Sequence, residues 1–258
     1  MARSLLDVGC MDVSLYSAAA AMNATERWQD LMADNLASAS VPGARQKEIS
    51  FSAVQAGLAS AASNSAAGRY SIPFAGVVTN YKQGEIQTTG NKLDMALEGS
   101  GFFTVQMADG SKGYTRDGEF RLNSHGQLST KQGYLVLGES GPITFDPSIS
   151  TPITVSADGQ VSQGGQVKGK LAITDFGNPK ALTISSGGYF QGNPGTAQAK
   201  PATATNVRQG AVEQSNTSPT LAMAGLLTSM RMFESNQKVM QMQSDRMSKT
   251  ITDLSGSS

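Results

Sequence analysis

Glycine is distributed very unevenly along this chain of 258 residues. Of its 28 glycines, 25 lie between residues 43 and 210; residues 11–42 contain none, and residues 218–254 contain only Gly225. A glycine inside a helix costs about 1 kcal/mol relative to alanine, so long stretches without glycine favour helices. The distribution therefore predicts a helix at each end of the chain and a glycine-rich, non-helical region between them.

The segment at 218–258 carries the clearer helical pattern. Ser218 is a residue type that caps helices, Pro219 fits a first turn, and the Gly-Ser-Ser tail predicts the helix end. Ten positions within it alternate in steps of three and four residues, and eight of the ten are apolar. These positions are Met223, Leu226, Met230, Phe233, Gln237, Met240, Ser244, Met247, Ile251 and Leu254. The spacing is typical of a coiled-coil seam.

The segment at 1–42 shows a weaker seam of the same kind, in which five of seven positions are apolar. Its members are Leu15, Ala18, Met22, Thr25, Gln29, Met32 and Leu36, and a second stripe beside it contains Ala21, Ala24, Trp28 and Leu31. Pro42-Gly43 predicts the end of this helix. Such a helix can be an ordinary core helix, or it can pair with the other terminal helix, with neighbouring copies, or with both.

The middle of the chain has short β-prone runs separated by turn signals every eight to twelve residues, among them Asp109-Gly110 and Asp158-Gly159. Predicted strands lie at 102–105, 119–122, 134–137, 153–155 and 167–174. Turns at this interval favour an all-β sandwich or barrel-like domain over alternating strands and helices.

The predicted fold class is therefore α+β in several parts: long terminal helices that pair as a coiled coil, and a central all-β domain. The predicted parts follow one another along the chain: an N-terminal helix at 1–42, a connecting segment at 43–75, the β domain at 76–191, a return linker at 192–217 and a C-terminal helix at 218–258. Alanine, serine, glycine and proline dominate the connecting and linking segments.

Composition excludes several classes of protein. Twenty basic and 20 acidic side chains balance, which argues against a nucleic-acid binder. The single cysteine excludes an intramolecular disulfide and a Cys-based zinc site, and the single histidine, His125, lies in a turn sequence and is predicted to be solvated. The sequence has no run of about 18 apolar residues that would span a membrane. We predict no metal and no cofactor.

No catalytic constellation stands out either. The run at 138–142 lacks the Gly-x-Ser-x-Gly spacing of a nucleophilic serine. Acidic side chains of the middle region mostly mark turns: Asp94, Glu98, Asp109, Asp117 and Asp158. A pair of carboxylates for glycoside hydrolysis stays an open alternative, since their separation depends on the fold. The prediction is that the chain is not an enzyme.

Three separated groups of motifs lie along nearly the whole chain. The first is Ala33-Asp34-Asn35-Leu36-Ala37-Ser38-Ala39-Ser40, followed by Phe51. The central group runs from Leu93 to Phe103 and from Tyr114 to Phe120, and continues through Gly126-Gln127-Leu128 to Gly133-Tyr134. The last comprises Gln209-Gly210-Ala211-Val212-Glu213-Gln214-Ser215-Asn216 and Arg231-Met232-Phe233-Glu234-Ser235-Asn236-Gln237-Lys238. Taken in this order, the three groups resemble bacterial flagellar rod and hook proteins.

The resemblance implies a structural subunit of the basal-body rod, a helical drive shaft that transmits torque. Its implied partners are copies of itself, other rod and hook proteins, the flagellar export apparatus and surrounding ring proteins. It implies export without a cleaved signal peptide and a location in the rod across the periplasm. The implied assembly interface comprises Leu15, Met22, Met32, Asn35, Leu36, Met223, Leu226, Met230, Phe233, Met240, Met247, Ile251 and Leu254.

Within this family, the runs at 137–143 and 155–161 resemble the proximal rod type more than the distal type, which stays an alternative. One departure is Val41-Pro42-Gly43-Ala44, where the family usually has an aromatic residue after Thr-x-Gly. About ten extra N-terminal residues are consistent with a start at Met11. Two other classes remain open: a secreted β-rich adhesin whose helices trimerise, and a cell-wall glycan hydrolase.

Overall fold

The computed structural model describes residues 2–56, 70–146, 151–192 and 198–255. These form two compact units, one from residues 1–35, 47–78 and 219–258, the other from 36–46 and 79–218. The order along the chain is a long helix, a β-rich region and a second long helix. This confirms the predicted order of helix, β region and helix, while the sandwich or barrel arrangement stays a prediction.

The first unit contains the two helices and a two-stranded sheet. Helix α1 is Ala2–Ser38, whose last three residues belong to the second unit, and helix α2 is Pro219–Ser255. Strands β1 (Lys47–Ala56) and β2 (Tyr70–Thr79) pair with each other. Strand β1 and the first part of β2 lie within the predicted connecting segment at 43–75, whose Ile, Phe, Val and Tyr residues suit extended backbone.

The second unit consists of short antiparallel strands. They are β3 Ile86–Thr88, β4 Met95–Glu98, β5 Phe102–Gln106, β6 Lys112–Thr115, β7 Arg121–Leu122, β8 Leu128–Ser129, β9 Leu135–Gly138, β10 Gly141–Pro142, β11 Ile153–Val155, β12 Gln160–Gln163, β13 Gln166–Lys170, β14 Ile173–Phe176, β15 Leu182–Ile184, β16 Phe190–Gly192, β17 Ala199–Pro201, β18 Asn206–Gln209 and β19 Ala211–Glu213. Short 3-10 turns lie at Pro179–Ala181 and Ser186–Gly188.

One ten-stranded sheet dominates this unit. Its main path is β15-β16-β6-β5-β9-β8-β7, and β10, β14 and β17 attach beside it. Strands β11, β12 and β13 form a separate sheet, β18 pairs with β4, and β19 pairs with β3. Strands β17, β18 and β19 lie within the predicted return linker at 192–217, so part of its described residues pairs with the β structure. Local sequence gave no sign of this, because the partners are distant in the chain.

The core lies on both faces of β5, because successive side chains of a strand point to opposite sides. Phe103 is fully buried in the larger apolar cluster with Val105 and Phe120. Its neighbour Phe102 belongs instead to an aromatic cluster on the other side with Phe190. The glycine turns fit the prediction: Gly110 and Gly159 have φ of +81° and +83°, at the β5–β6 and β11–β12 hairpins.

Predicted strands 102–105, 134–137 and 153–155 are present within about a residue as β5, β9 and β11. The run at 119–122 contributes only β7, while Glu119 forms an isolated bridge with Asp94. The predicted strand 167–174 is interrupted between Lys170 and Ile173, because Leu171 bridges to Gly138 and the chain changes its pairing partner there.

Candidate assembly interface

On helix α1, the second apolar stripe is the more buried. Ala24 and Leu31 are 6% and 4% exposed, whereas Met22 and Met32 of the first seam are only half-buried. Met32 lies against α2, because its Sδ is 2.6 Å from the position that a Cβ would take at Gly225. The glycine therefore leaves room for the methionine where the two helices meet. The side chain of Leu15 lies outside the described residues, and Leu36, at the end of α1, is half-buried.

Asn35, near the C-terminal end of α1, is hydrogen-bonded to strand β1 of the same unit. Its side chain accepts a hydrogen bond from Lys47 N at 2.8 Å and donates one to Lys47 O at 2.7 Å. The residue is 1% exposed, so these bonds satisfy both ends of an amide that water does not reach. Asn35 thus has an internal structural role in the chain, and its place in the assembly interface stays a prediction.

Only some residues of the predicted seam on helix α2 are buried against the rest of the chain. Leu226, Phe233, Met240 and Met247 are half-buried, in line with the buried Ala222 and Ser229. The alternate seam members Met223, Met230 and Ile251 are 52%, 48% and 62% exposed. The side chain of Leu254 lies outside the described residues. We call these half-buried and buried residues of α2 the buried line. It contains every second position of the predicted seam, and the seam positions between them are exposed.

Exposed apolar side chains are concentrated on α2. Twelve large hydrophobic residues are exposed in the described part of the chain, and eight of them are on this helix. At about 100° per residue, most of the eight fall into two groups on either side of the buried line. We call Met223, Leu227 and Met230 the first flank, and Leu221, Met232, Val239 and Met242 the second flank. Clustered exposed apolar side chains are typical of interaction sites.

The second unit contains a buried ion cluster that sequence analysis missed. Glu213 is fully buried, and its two carboxylate oxygens each accept from one arginine: Oε1 from Arg45 Nη1 at 2.5 Å and Oε2 from Arg116 Nη1 at 2.8 Å. Oε1 also accepts a hydrogen bond from Gly84 N at 2.9 Å. The signal that could have found the cluster is that Arg116 and Glu213 each lie within a motif shared with flagellar proteins.

Arg116 makes further contacts from the same buried position. Its Nη2 donates to Gly99 O at 2.6 Å, and its guanidinium carbon lies 5.3 Å from the ring centre of Phe102. Burial lowers the pKa of Arg116, and the nearby Glu213 carboxylate opposes that shift. The side chain stays protonated at neutral pH, because an arginine pKa begins far above it.

Of the acidic residues predicted to mark turns, Asp109, Asp117 and Asp158 lie in turns or loops. Asp94 instead forms an isolated bridge with Glu119, and Glu98 ends strand β4 and pairs with Arg208. Asp109 accepts from Ser111 N at 2.9 Å, and Asp117 accepts from Glu119 N at 3.0 Å. Burial raises the pKa of Asp117 to about 6. His125 is exposed in its turn, where its backbone N donates to Asn123 Oδ1. Among the described residues, no group of three or more His, Cys, Asp or Glu side chains is arranged to hold a metal ion.

Within the described residues, no helix combines the length and the apolar character needed to cross a bilayer.

Two family models match separate parts of the chain. The model described as the flagellar hook protein FlgE/F/G D1 domain matches residues 96–163, and that described as the flagellar basal body rod FlgEFG protein C-terminal matches residues 208–254. The first covers six of the ten strands of the ten-stranded sheet. The second covers the end of β18, all of β19 and nearly all of α2.

Relatives match over nearly their whole length. A flagellar basal-body rod protein FlgF of Caulobacter vibrioides is 33% identical over 89% of this chain and 93% of its own. That of Mesorhizobium japonicum is 32% identical over 96% of this chain and 100% of its own. A rod protein FlgG of Borreliella burgdorferi is 29% identical over 88% and 93%. The chain therefore belongs to the flagellar basal-body rod protein family, as a structural subunit of the proximal rod type located in the basal body.

Proposed function

We propose that the subunit assembles into the rod by packing the two apolar flanks of α2 against neighbouring rod subunits. The observation that carries this proposal is the concentration of eight of the twelve exposed large hydrophobic residues on one helix. A helix that is apolar on several faces is stable only when other protein surrounds it. The proposed partners are copies of this chain and other rod and hook proteins.

The energetics favour such packing. Burying a leucine or methionine side chain contributes about 1.5–3 kcal/mol, and each flank offers at least three apolar side chains. Methionine supplies half of these residues, Met223, Met230, Met232 and Met242 among the eight. Its flexible side chain packs against surfaces of different shape, which suits a subunit that meets non-identical neighbours.

Pairing of α1 with α2 as a coiled coil is the second part of the proposal. The contact of Met32 with Gly225 supports it, because a glycine on α2 permits close approach of the α1 side chain. The half-buried Leu226, Phe233 and Met240 supply the apolar line that such a pair needs. In the rod, this pair would carry the load between subunits and transmit torque.

The remaining parts concern export and catalysis. We propose that the chain leaves the cell through the flagellar export apparatus without a cleaved signal peptide, and that it contacts ring proteins around the rod. We also propose that it has no catalytic role, because the acidic residues of the middle region mostly serve turns. Release of sugar from purified cell wall by the full chain, abolished by substituting one acidic residue, would contradict this last point.

The experiment compares two flank variants with a matched control in cells that lack the native copy. Leu227→Gln/Met230→Gln changes the first flank and Met232→Gln/Val239→Gln the second. Glutamine removes apolar area while keeping good helix propensity. The control, Gln241→Ala/Ser248→Ala, changes exposed polar positions of the same helix.

The readout is the amount of the subunit in purified basal bodies, measured by quantitative mass spectrometry, together with swimming speed. We expect each flank variant to reduce incorporation by at least tenfold, since a loss of about 1.4 kcal/mol corresponds to a factor of ten. The control should match the unmodified chain. Normal incorporation of both flank variants would show that α2 does not assemble the rod through these surfaces.

A further inference from the structure

The buried ion cluster of Arg45, Arg116 and Glu213 is not explained by its contribution to stability alone. Glu213 and the side chains of Arg45 and Arg116 are nearly inaccessible to water, at 0%, 1% and 4% exposure. Removing three charges from water carries a large desolvation penalty, and well-packed apolar side chains of similar volume are often as stable. Two positive charges share one negative charge here, which raises the cost further. A role in positioning the surrounding chain would give a reason for three buried charges at this place.

The cluster lies where the chain enters and leaves the second unit. Arg45 belongs to the segment that follows α1, and Glu213 ends the last strand, six residues before α2 begins at Pro219. The two segments touch through their backbones as well: Gly43 N donates to Glu213 O at 2.7 Å. The segment after α1 and the segment before α2 are therefore bonded to each other through both side chains and backbone.

A second set of hydrogen bonds surrounds the ion cluster. Asn216 Oδ1 accepts from Gln46 N at 2.6 Å, and Asn216 Nδ2 donates to Asn80 O and Lys82 O, both at 2.9 Å. Gln46 O in turn accepts from Asn80 N at 2.8 Å. Three passages of the chain, at 43–46, 80–85 and 213–216, thus meet in one bonded group.

Close approach of these passages depends on two glycines. A Cβ at Gly43 would overlap the backbone of Arg116 and Asp117, and one at Gly84 would overlap the backbone of Gln214. Gly43 also has φ of +70°, which other residues rarely adopt. A residue larger than glycine at either position would therefore push apart the passages that carry the ion cluster.

We propose that Arg45, Glu213 and Arg116 are positioning residues that fix the two points at which the chain passes between the β-rich unit and the terminal helices. Charged partners with fixed fork geometry accept few alternative arrangements, whereas apolar side chains can repack in several. The passage that follows the end of α1 and the passage that precedes the start of α2 would then be held at a fixed separation, as identical subunits need in a regular assembly. This inference rests on the proposed assembly through α2.

The test replaces all three charges together. In Arg45→Met/Arg116→Met/Glu213→Leu, no buried charge is left without a partner, so the unit is expected to stay folded. The matched control, Glu139→Gln/Lys170→Gln, removes an exposed ion pair of the same unit, whose atoms are 3.2 Å apart. Both variants are made in a chain with Cys10→Ser, Ser40→Cys and Thr220→Cys. Spin labels are attached to the two new cysteines, one of which precedes Arg45 in the sequence and one of which follows Glu213.

Three measurements are made on each variant: the melting temperature, the distribution of distances between the two labels, and incorporation into basal bodies. We expect the triple variant to melt within about 5 °C of the parent, to show a distance distribution at least twice as wide, and to lose at least tenfold in incorporation. The control should change none of the three.

Other outcomes would overturn the inference. An unchanged distance distribution in the triple variant means that the charges do not position the chain, whatever its stability. A widened distribution with normal incorporation means that the positioning is not needed for assembly. The α2 flank variants separate this result from the proposed function, because they should lose incorporation with an unchanged distance distribution. If they also assemble normally, assembly through α2 is wrong independently of the cluster.

Discussion

The Sδ atom of Met32 lies 2.6 Å from the place that a Cβ would occupy at Gly225, so a side chain on one helix fills the space left by a glycine on the other. Gly225 is the only glycine between residues 218 and 254. In a helix interior it costs about 1 kcal/mol relative to alanine. This contact offers a physical reason for a glycine at a position where helix propensity disfavours it.

Replacing Gly225 by alanine should therefore have a different effect with and without Met32. In the unmodified chain we expect almost no change in the free energy of unfolding, because the gain in helix propensity is offset by crowding against Met32. In a Met32→Ala background, the same substitution should stabilise by about 1 kcal/mol. Urea unfolding followed by far-UV circular dichroism measures both. Equal effects in the two backgrounds would contradict the contact.

Removing Glu213 alone should be strongly destabilising. Glu213→Ala leaves two buried guanidinium groups without their carboxylate, which costs about 3–5 kcal/mol. The comparison is Glu98→Ala, which removes the partner of Arg208 from an exposed pair 3.5 Å apart and should cost less than about 1 kcal/mol. Chemical denaturation of the purified variants gives both values. A similar loss of free energy of unfolding for the two variants would show that the buried cluster is no more important to stability than an exposed ion pair.

Asp117 should make the protein less stable as the pH rises from about 4 to 6. Its pKa is raised from 3.8 to about 6 in the folded chain, so the folded state holds the proton more tightly than the unfolded state. The resulting cost is absent below the unfolded pKa and complete above the folded pKa, at about 1–2 kcal/mol for a partly exposed group.

Asp117→Asn removes this cost, because the amide oxygen can still accept the hydrogen bond from Glu119 N. The variant should be more stable than the parent at pH 7 and equally stable near pH 3.5. Thermal melting across this range measures the difference. A constant difference at every pH would rule out titration of Asp117 as its cause.

A methyl group at Gly118 should disrupt the second unit. A Cβ there would overlap the carbonyl oxygen of Met95, and the backbone cannot move aside without loss of the bond from Met95 N to Gly118 O. We expect Gly118→Ala to cost about 3 kcal/mol or more. Gly169→Ala is the control, since its Cβ would meet only Ile143 at 3.8 Å, an ordinary contact. Comparable melting temperatures for the two variants would contradict the close approach at Gly118.

Sequence reasoning succeeded where the signal was local. Glycine content and the Ser218-Pro219 pair located α2, which begins at Pro219, and Asp-Gly pairs located the β5–β6 and β11–β12 hairpins. These features depend on backbone freedom within a few residues. The periodicity of α2 was harder to interpret, because apolar residues occupy several of its faces and the spacing alone does not say which one the chain itself buries.

Non-local pairing left no such signal. Strand β19 pairs with β3, and β18 pairs with β4, across more than 100 intervening residues, so the sequence around 206–213 looked like a linker. The same reason hid the ion cluster. Arg45, Arg116 and Glu213 are far apart in the sequence, and only the folded chain brings them together.

The separation of 168 residues between Arg45 and Glu213 also has a kinetic consequence. Contacts between distant parts of a chain slow folding, because a long loop must close before the contact forms. A chain that has not yet presented residue 213 holds two arginines with no carboxylate to accept them, so the β-rich unit cannot finish its core early. The β-rich unit is therefore complete only when the residues around 213 have joined those around 45 and 116, and we expect this long-range closure to slow its folding.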